Sequence, residues 1–130
     1  MTARVFAIVL AAGASRRLGR PKQLLPYRGA TLLHTVAAQA CAASCAGVAV
    51  VLGAAASAVA PALRGLPLQI EQNPDWEEGI ASSIRRAISW VMTQEADAAL
   101  LLLGDQPRVT AAHLEQLLAA HRRTGGLVGS

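Results

Sequence analysis

Four apolar runs alternate along the chain with stretches whose apolar residues recur at helical spacing. Val5 to Leu10 is continuously apolar, as expected of a parallel strand buried on both faces. Residues 12 to 29 hold glycine, proline and five basic residues and read as a loop. Thr31 to Ala42 places Leu32, Leu33, Val36, Ala37 and Ala40 on one helical face, with Gly47 as the stop. Val48 to Leu52 predicts a second buried strand. The Ala-rich stretch Ala54 to Leu63 predicts a helix that Pro61 ends early. Pro67 to Glu71 predicts a short third strand, and Asn73 to Gly79 a loop. Ile80 to Met92 is helical, with Ile80, Ile84, Ile88 and Val91 at core spacing. Ala98 to Leu103 is the most apolar strand, which predicts a central place in the sheet. Thr110 to His121 is the last helix, with Thr110 as N-cap and Leu114, Leu117 and Leu118 inward.

Strand and helix thus alternate four times. That pattern predicts an α/β fold with a mostly parallel sheet covered on both faces. Ligands in such folds sit beyond the carboxyl ends of the strands. No repeat, linker or low-complexity insert divides the 130 residues, so one domain over 1–130 is expected.

Composition narrows the picture. With 53% hydrophobic and 15% charged residues the chain can bury a real core. At 3% aromatic, that core must be built from Ala, Leu, Val and Ile. The net charge of +4 invites a nucleic-acid reading. Yet the basic residues form no long run and lack aromatic neighbours for base stacking, so no nucleic-acid partner is expected. Cys41 and Cys45 have no His nearby and read as core-filling thiols rather than zinc ligands. The first apolar run is too short for a signal peptide, and no stretch is long enough to span a membrane. A cytoplasmic protein without a membrane partner is the expectation.

Two loops at the carboxyl edge carry chemistry. "VLAAGASRRLGRPKQLLP", residues 9–26, leaves the first strand. It is not a P-loop, because five residues separate Gly13 from Gly19 and Lys22 lies three further on. The physics is nonetheless that of an anion cradle. Ala11, Ala12 and Gly13 let backbone N–H groups approach a ligand, and Arg16, Arg17, Arg20 and Lys22 supply charge that suits a triphosphate. A solvated basic loop is the competing reading. The second loop, "GDQP", presents Asp105 just past the fourth strand. A carboxylate there could share Mg²⁺ with substrate phosphates. Asp is equally common in such turns for local reasons, and the residues alone leave both readings open. In "NPDWEEGIASSI", Ser82 and Ser83 fall in the first turn of a helix, where they could either hold a base, ribose or anion or cap the helix. Trp76 reads as a lid or packing residue before a base stacker.

Together, "LAAGASRRLGRPKQLLP", "NPDWEEGIASSI" and "LLLGDQPRVT" resemble, in order and distance, three motifs of the MobA-like nucleotidyltransferases, over about Val5 to His121. This family includes the molybdenum-cofactor guanylyl- and cytidylyltransferases. The resemblance implies a three-layer Rossmann-like fold and transfer of a nucleotidyl group from a nucleoside triphosphate to a phosphorylated acceptor, with release of pyrophosphate. It implies phosphate neutralisation by Arg17 and Lys22, and nucleotide contacts from Leu10, Ala11, Ala12 and Gly13. Gly79 and Ser83 would shape the base and ribose pocket, and Asp105 would hold Mg²⁺. Ala12, where the guanylyltransferase branch tends to carry a second glycine, favours CTP, and the acceptor implied is of molybdopterin type. A sugar phosphate acceptor and a nucleotide-binding module without turnover are the alternatives. The family domain usually runs on beyond the length of this chain, so a C-terminally shortened domain is expected. The far side of the fourth strand would then lie open, with self-association into a homo-oligomer as one way to cover it.

Overall fold

The computed structural model describes residues 4–13, 22–54 and 56–124, the last four in backbone alone. Four parallel strands form the main sheet: β1 (Val5–Ala11), β4 (Gly47–Leu52), β5 (Gln69–Gln72) and β6 (Ala98–Leu103). A two-stranded ribbon, β2 (Pro26–Tyr27) with β3 (Ala30–Thr31), interrupts the stretch read as loop. The helices are α1 (Leu32–Ala42), α2 (Ala56–Val59), α3 (Ile80–Thr93) and α4 (Ala111–Thr124).

The sheet order is β5-β4-β1-β6. The chain therefore builds outward from β1 in one direction, through β4 to β5, and then returns to the other side of β1 as β6. All seven residues of β1 are buried. Alternate side chains of β1 face two different cores. Ala7, Val9 and Ala11 meet Leu33, Val36, Ala37 and Ala40 of α1 together with Leu114 and Leu117 of α4. Phe6, Ile8 and Leu10 meet Ala87 and Val91 of α3. This is the three-layer α/β arrangement that the alternation predicts. Two caps fix the helix starts: Thr31 Oγ1 accepts from His34 N–H at 3.0 Å, and Thr110 Oγ1 accepts from His113 N–H at 3.1 Å.

Several expectations are revised. The helix expected over 54–63 changes at Ala60 into a 3₁₀ turn ending at Leu63, with Pro61, which has no N–H to donate, just inside it. The third strand runs Gln69–Gln72, shifted toward the carboxyl end, and lies at the sheet edge. On α3 the inward face is Ser83, Ala87 and Val91, with Ile84 and Trp90 partly buried against the same core. Ile80 and Ile88, expected inside, are 56% and 40% exposed, and Met92 is 74% exposed. Two apolar stripes lie side by side on this helix, and periodicity cannot say which one meets the sheet. β6, expected to be central, is an edge strand paired with β1 alone among the described residues. Leu100 and Leu102 pack toward the α1/α4 core, whereas Leu101 and Leu103 are 44% and 37% exposed on the α3 side.

This division of α3 and the core gives a stability test. Leu33→Ala should cost about 2–5 kcal/mol, because Leu33 is fully buried. Ile88→Ala should cost less than about 1 kcal/mol, because its side chain already meets water. Urea denaturation of both variants measures the difference, and equal losses would place Ile88 in the core after all.

Candidate active site

The order reversal at β1 opens a crevice between the carboxyl ends of β1 and β6, the place where doubly wound sheets take ligands. A cavity of about 340 Å³ lies there. Leu10, Ala11, Ala12 and Gly13 form one wall as the chain leaves β1. Leu103, the register partner of Leu10 at the end of β6, lines the cavity beside them, together with Asp105, Lys22 and Gln23. Trp76, Gly79, Ile80 and Ser83 form the side toward α3. Of the residues given a role by the family resemblance, all but Arg17 thus line one cavity, whereas Ser82 does not. Arg17 lies with Arg16 and Arg20 outside the described residues.

Local hydrogen bonds hold these walls. Gly104 N–H donates to Leu10 O at 3.0 Å, so the β1–β6 pairing runs to the crevice and delivers Asp105 beside it. A Cβ on Gly104 would meet Ala11 Cβ at 3.0 Å, so the two loops approach more closely than a larger residue allows. On the other side, Ala54 N–H donates to Ala12 O at 3.1 Å. Gly53 is needed there, because a Cβ would lie 2.6 Å from Trp76 Cβ. Gly79 has φ 99°, a conformation that favours glycine, and it admits the chain to α3 without a side chain in the cavity.

Gln23 escaped the sequence reading. It is buried, and its Nε2 donates to Ala11 O at 2.7 Å and to Gly13 O at 3.2 Å. The amide therefore ties the turn after Lys22 to the end of β1 and shapes the backbone that a ligand would touch. Its Oε1 is buried and has no partner among the described residues. One signal was available in "PKQLLP": a lone amide between a cation and two leucines.

Asn73 is the second residue missed. Its Nδ2 donates to Ser82 Oγ at 2.8 Å and Ser83 Oγ at 2.9 Å, and its Oδ1 accepts from Asp75 N–H at 2.9 Å. Ser82 Oγ also donates within its turn, to Asp75 O or Gly79 O. Ser82 is thus a structural staple, while Ser83 remains at the cavity wall. Trp76 both packs against the core under α3 and lines the cavity.

The charged pair is the chemical centre. Lys22 Nζ lies 3.1 Å from Asp105 Oδ2, with both side chains partly open to solvent. The residues on which sequence reasoning rested phosphate and metal binding therefore face each other across the crevice. Asp105 is the one carboxylate among the residues lining the cavity, and the described residues contain no group of three or more His, Cys, Asp or Glu able to hold a metal. One carboxylate suits Mg²⁺ shared with substrate phosphates rather than a metal caged by protein. Burial pushes the Cys41 thiol up from its ordinary value, which favours the neutral form and fits a packing role over metal binding. No helix among the described residues is long and apolar enough to cross a membrane.

The fold and crevice define an α/β domain with a cavity at the switch point of its sheet, and comparison with known proteins sharpens this. Residues 7–129 match the MobA-like NTP transferase domain, and the chain belongs to that family. It is 40% identical over 119 residues to nicotine blue oxidoreductase of Paenarthrobacter nicotinovorans, covering 91% of this chain and 57% of that protein. The crystal structure of Rv0371c from Mycobacterium tuberculosis H37Rv superposes with TM-score 0.81 at 37% identity, over 95% of this chain and 63% of that one. A manganese complex of Rv0371c superposes with TM-score 0.73 at 36% identity, over 93% and 61%. The chain thus spans about three fifths of the length of these relatives.

The Asn73 staple gives a second test. Asn73→Ala leaves two buried hydroxyls and one N–H without their partner. It should cost about 1–3 kcal/mol, and it should loosen the cavity wall at Ser83. Thermal unfolding and amide exchange at the start of α3 measure both. Unchanged exchange there would show that the α3 entry is held by other contacts.

Proposed function

We propose that the chain is the nucleotide-binding part of a Mg²⁺-dependent nucleotidyltransferase that transfers CMP from CTP to a phosphorylated acceptor of molybdopterin type. The observation that carries this reading is the Lys22–Asp105 pair across the mouth of a crevice walled by Leu10 to Gly13. That the similar protein Rv0371c has been solved in complex with manganese supports a divalent metal in this reading. Small residues at Ala11 and Ala12 allow a base close to the backbone, and Gly79 and Ser83 bound the nucleoside end. Lys22 turns from Asp105 to the phosphates, and Arg17 adds a second cation from the same loop. Asp105 would hold a Mg²⁺ ion, which when bound would supply charge neutralisation for the triphosphate. The acceptor phosphate is already a nucleophile, so positioning and charge complete the work and no general base is required. A nucleoside triphosphate substrate is in keeping with a cytoplasmic location. One domain covers 1–130, and copies associate through the open edge of β6, which light scattering measures.

A second reading rests on the relative named as an oxidoreductase. The same crevice would then hold a nucleotide that carries reducing equivalents, without nucleotidyl transfer. A binding module without turnover and a transferase using a sugar phosphate are the remaining alternatives.

One calorimetric series separates these. CTP should bind in preference to GTP and NADPH. Lys22→Ala and Arg17→Ala should each weaken CTP by about ten- to hundredfold, since a charge-assisted hydrogen bond is worth about 1.5–3 kcal/mol. Asp105→Asn should abolish the Mg²⁺ dependence of CTP binding and leave the melting temperature nearly unchanged, because an exposed ion pair adds little stability. A preference for GTP would sink the cytidylyl assignment. Tight NADPH binding would favour the redox reading. Unaltered CTP affinity in Lys22→Ala would return the loop to an ordinary solvated surface.

A further inference from the structure

Where a strand runs out, its backbone carbonyls lose the regular ladder and must each find a donor. The crevice wall from Leu10 to Gly13 lies at such a place, and all four of its carbonyls are engaged. Leu10 O accepts from Gly104 N–H at 3.0 Å, and Ala12 O accepts from Ala54 N–H at 3.1 Å. Ala11 O and Gly13 O both accept from Gln23 Nε2, at 2.7 and 3.2 Å. The N–H of Gly13 has no acceptor among the described residues. The amide of Gln23 has only one workable orientation, because a flip would set Oε1 against two carbonyl oxygens. In that orientation Oε1 is buried with no partner among the described residues, and the side chain is 6% exposed. A buried acceptor left unpaired costs stability. Methionine would fill similar space without that cost. Stability alone therefore favours an apolar residue here, and the donor end of the amide is what glutamine adds.

We propose that Gln23 is a positioning residue for nucleotide binding, which fixes Ala11 O and Gly13 O on its own amide and so leaves the crevice wall able to receive the phosphate oxygens of a nucleotide. This rests on the reading of the crevice as a nucleotide site and adds the residue that sets the polarity of its backbone wall. Carbonyl oxygens repel an anion, and backbone N–H groups attract it. Gln23 touches no phosphate in this arrangement. It acts through the peptide groups that it holds. Its place in the chain suits the task, since Lys22 and Gln23 share one 3₁₀ turn, closed by Leu25 N–H on Lys22 O at 3.1 Å. One residue brings a cation to the mouth of the crevice, and the next fixes the dipoles of the wall.

Calorimetric titration of wild type, Gln23→Met and Gln23→Glu with CTP and with inorganic tripolyphosphate tests this. Gln23→Met should weaken both ligands about tenfold or more, because two carbonyls are freed beside the phosphates. Its melting temperature should fall little, since the unpaired Oε1 leaves with the amide. Gln23→Glu gives a readout that a merely structural role would not move. A carboxyl against two carbonyl oxygens keeps its proton to higher pH than usual, and its neutral form donates one hydrogen bond to the wall. The charged groups that share the cavity, Lys22 and Asp105, are paired with each other. Tripolyphosphate affinity of Gln23→Glu relative to wild type should therefore recover near about pH 5 and fall away by about pH 8. Wild-type affinity in Gln23→Met would overturn the proposal. So would weak binding in Gln23→Met joined to a flat ratio across that pH range in Gln23→Glu, which would make Gln23 a packing residue. Where Gln23→Glu fails to fold, Gln23→Met decides: weakened tripolyphosphate with a nearly unchanged melting temperature supports the proposal, and a parallel loss of both overturns it. Wild type that binds tripolyphosphate but not CTP would sink the nucleotide reading alone, and dependence of tripolyphosphate on Gln23 would still support the role in the wall. Wild type that binds neither would overturn both.

Discussion

Everything in this structure depends on β1 lying in the middle of the sheet. Both of its edges are spent on parallel partners, β4 and β6, and its residues reach no more than 8% exposure. A strand so enclosed can present nothing chemical along its length. Its chemistry must come where it ends, in the backbone of Ala11, Ala12 and Gly13. The neighbours on its two sides arrive at different stages of the chain, so their following loops diverge and leave the crevice between them. The site is a consequence of strand order before it is a consequence of any side chain.

The crevice then needs small residues and fixed backbones rather than many functional groups. Gly53 and Gly104 each bring a neighbouring loop against the end of β1 at distances that a Cβ would fill. Gln23 holds two carbonyls of that end with one amide. Asn73 does the equivalent for the entry to α3. The charged residues stand on this frame, and the Lys22–Asp105 pair is worth little to stability because water reaches both partners. Charge is kept available for a ligand, while stability resides in the aliphatic cores on either side of the sheet.

How far the sequence reveals this follows from the physics of each signal. Strands β1 and β4 are legible because continuous apolar sequence bounded by glycine has few other uses. The crevice residues are legible because loops after buried strands are where polar and glycine residues stand out. Gln23 and Asn73 are harder to see, since an amide bonded to backbone or hydroxyl groups leaves no spacing rule in the chain. The placement of β6 is misread for a related reason. Leu100 to Leu103 is apolar on both faces, and hydropathy records that a strand avoids water without recording how many strands flank it.

The same ambiguity explains α3, and it ties the two exposed leucines to the exposed isoleucines. β1 and β6 are in register, Ile8 with Leu101 and Leu10 with Leu103, so these side chains share one sheet face. α3 covers Ile8 and Leu10 with Ala87 and Val91. Leu101 and Leu103 stay partly open, one strand to the side of that contact. Ile80 lines the same cavity as Leu103, which brings one end of the outward isoleucine stripe to the open strand face. Ile80, Ile88 and Met92 leave α3 with exposed apolar area beside its Ala87–Val91 contact with β1. Strand and helix therefore share one surface property, and the residues that mislead a periodicity reading are those that the described fold leaves with apolar area to spare.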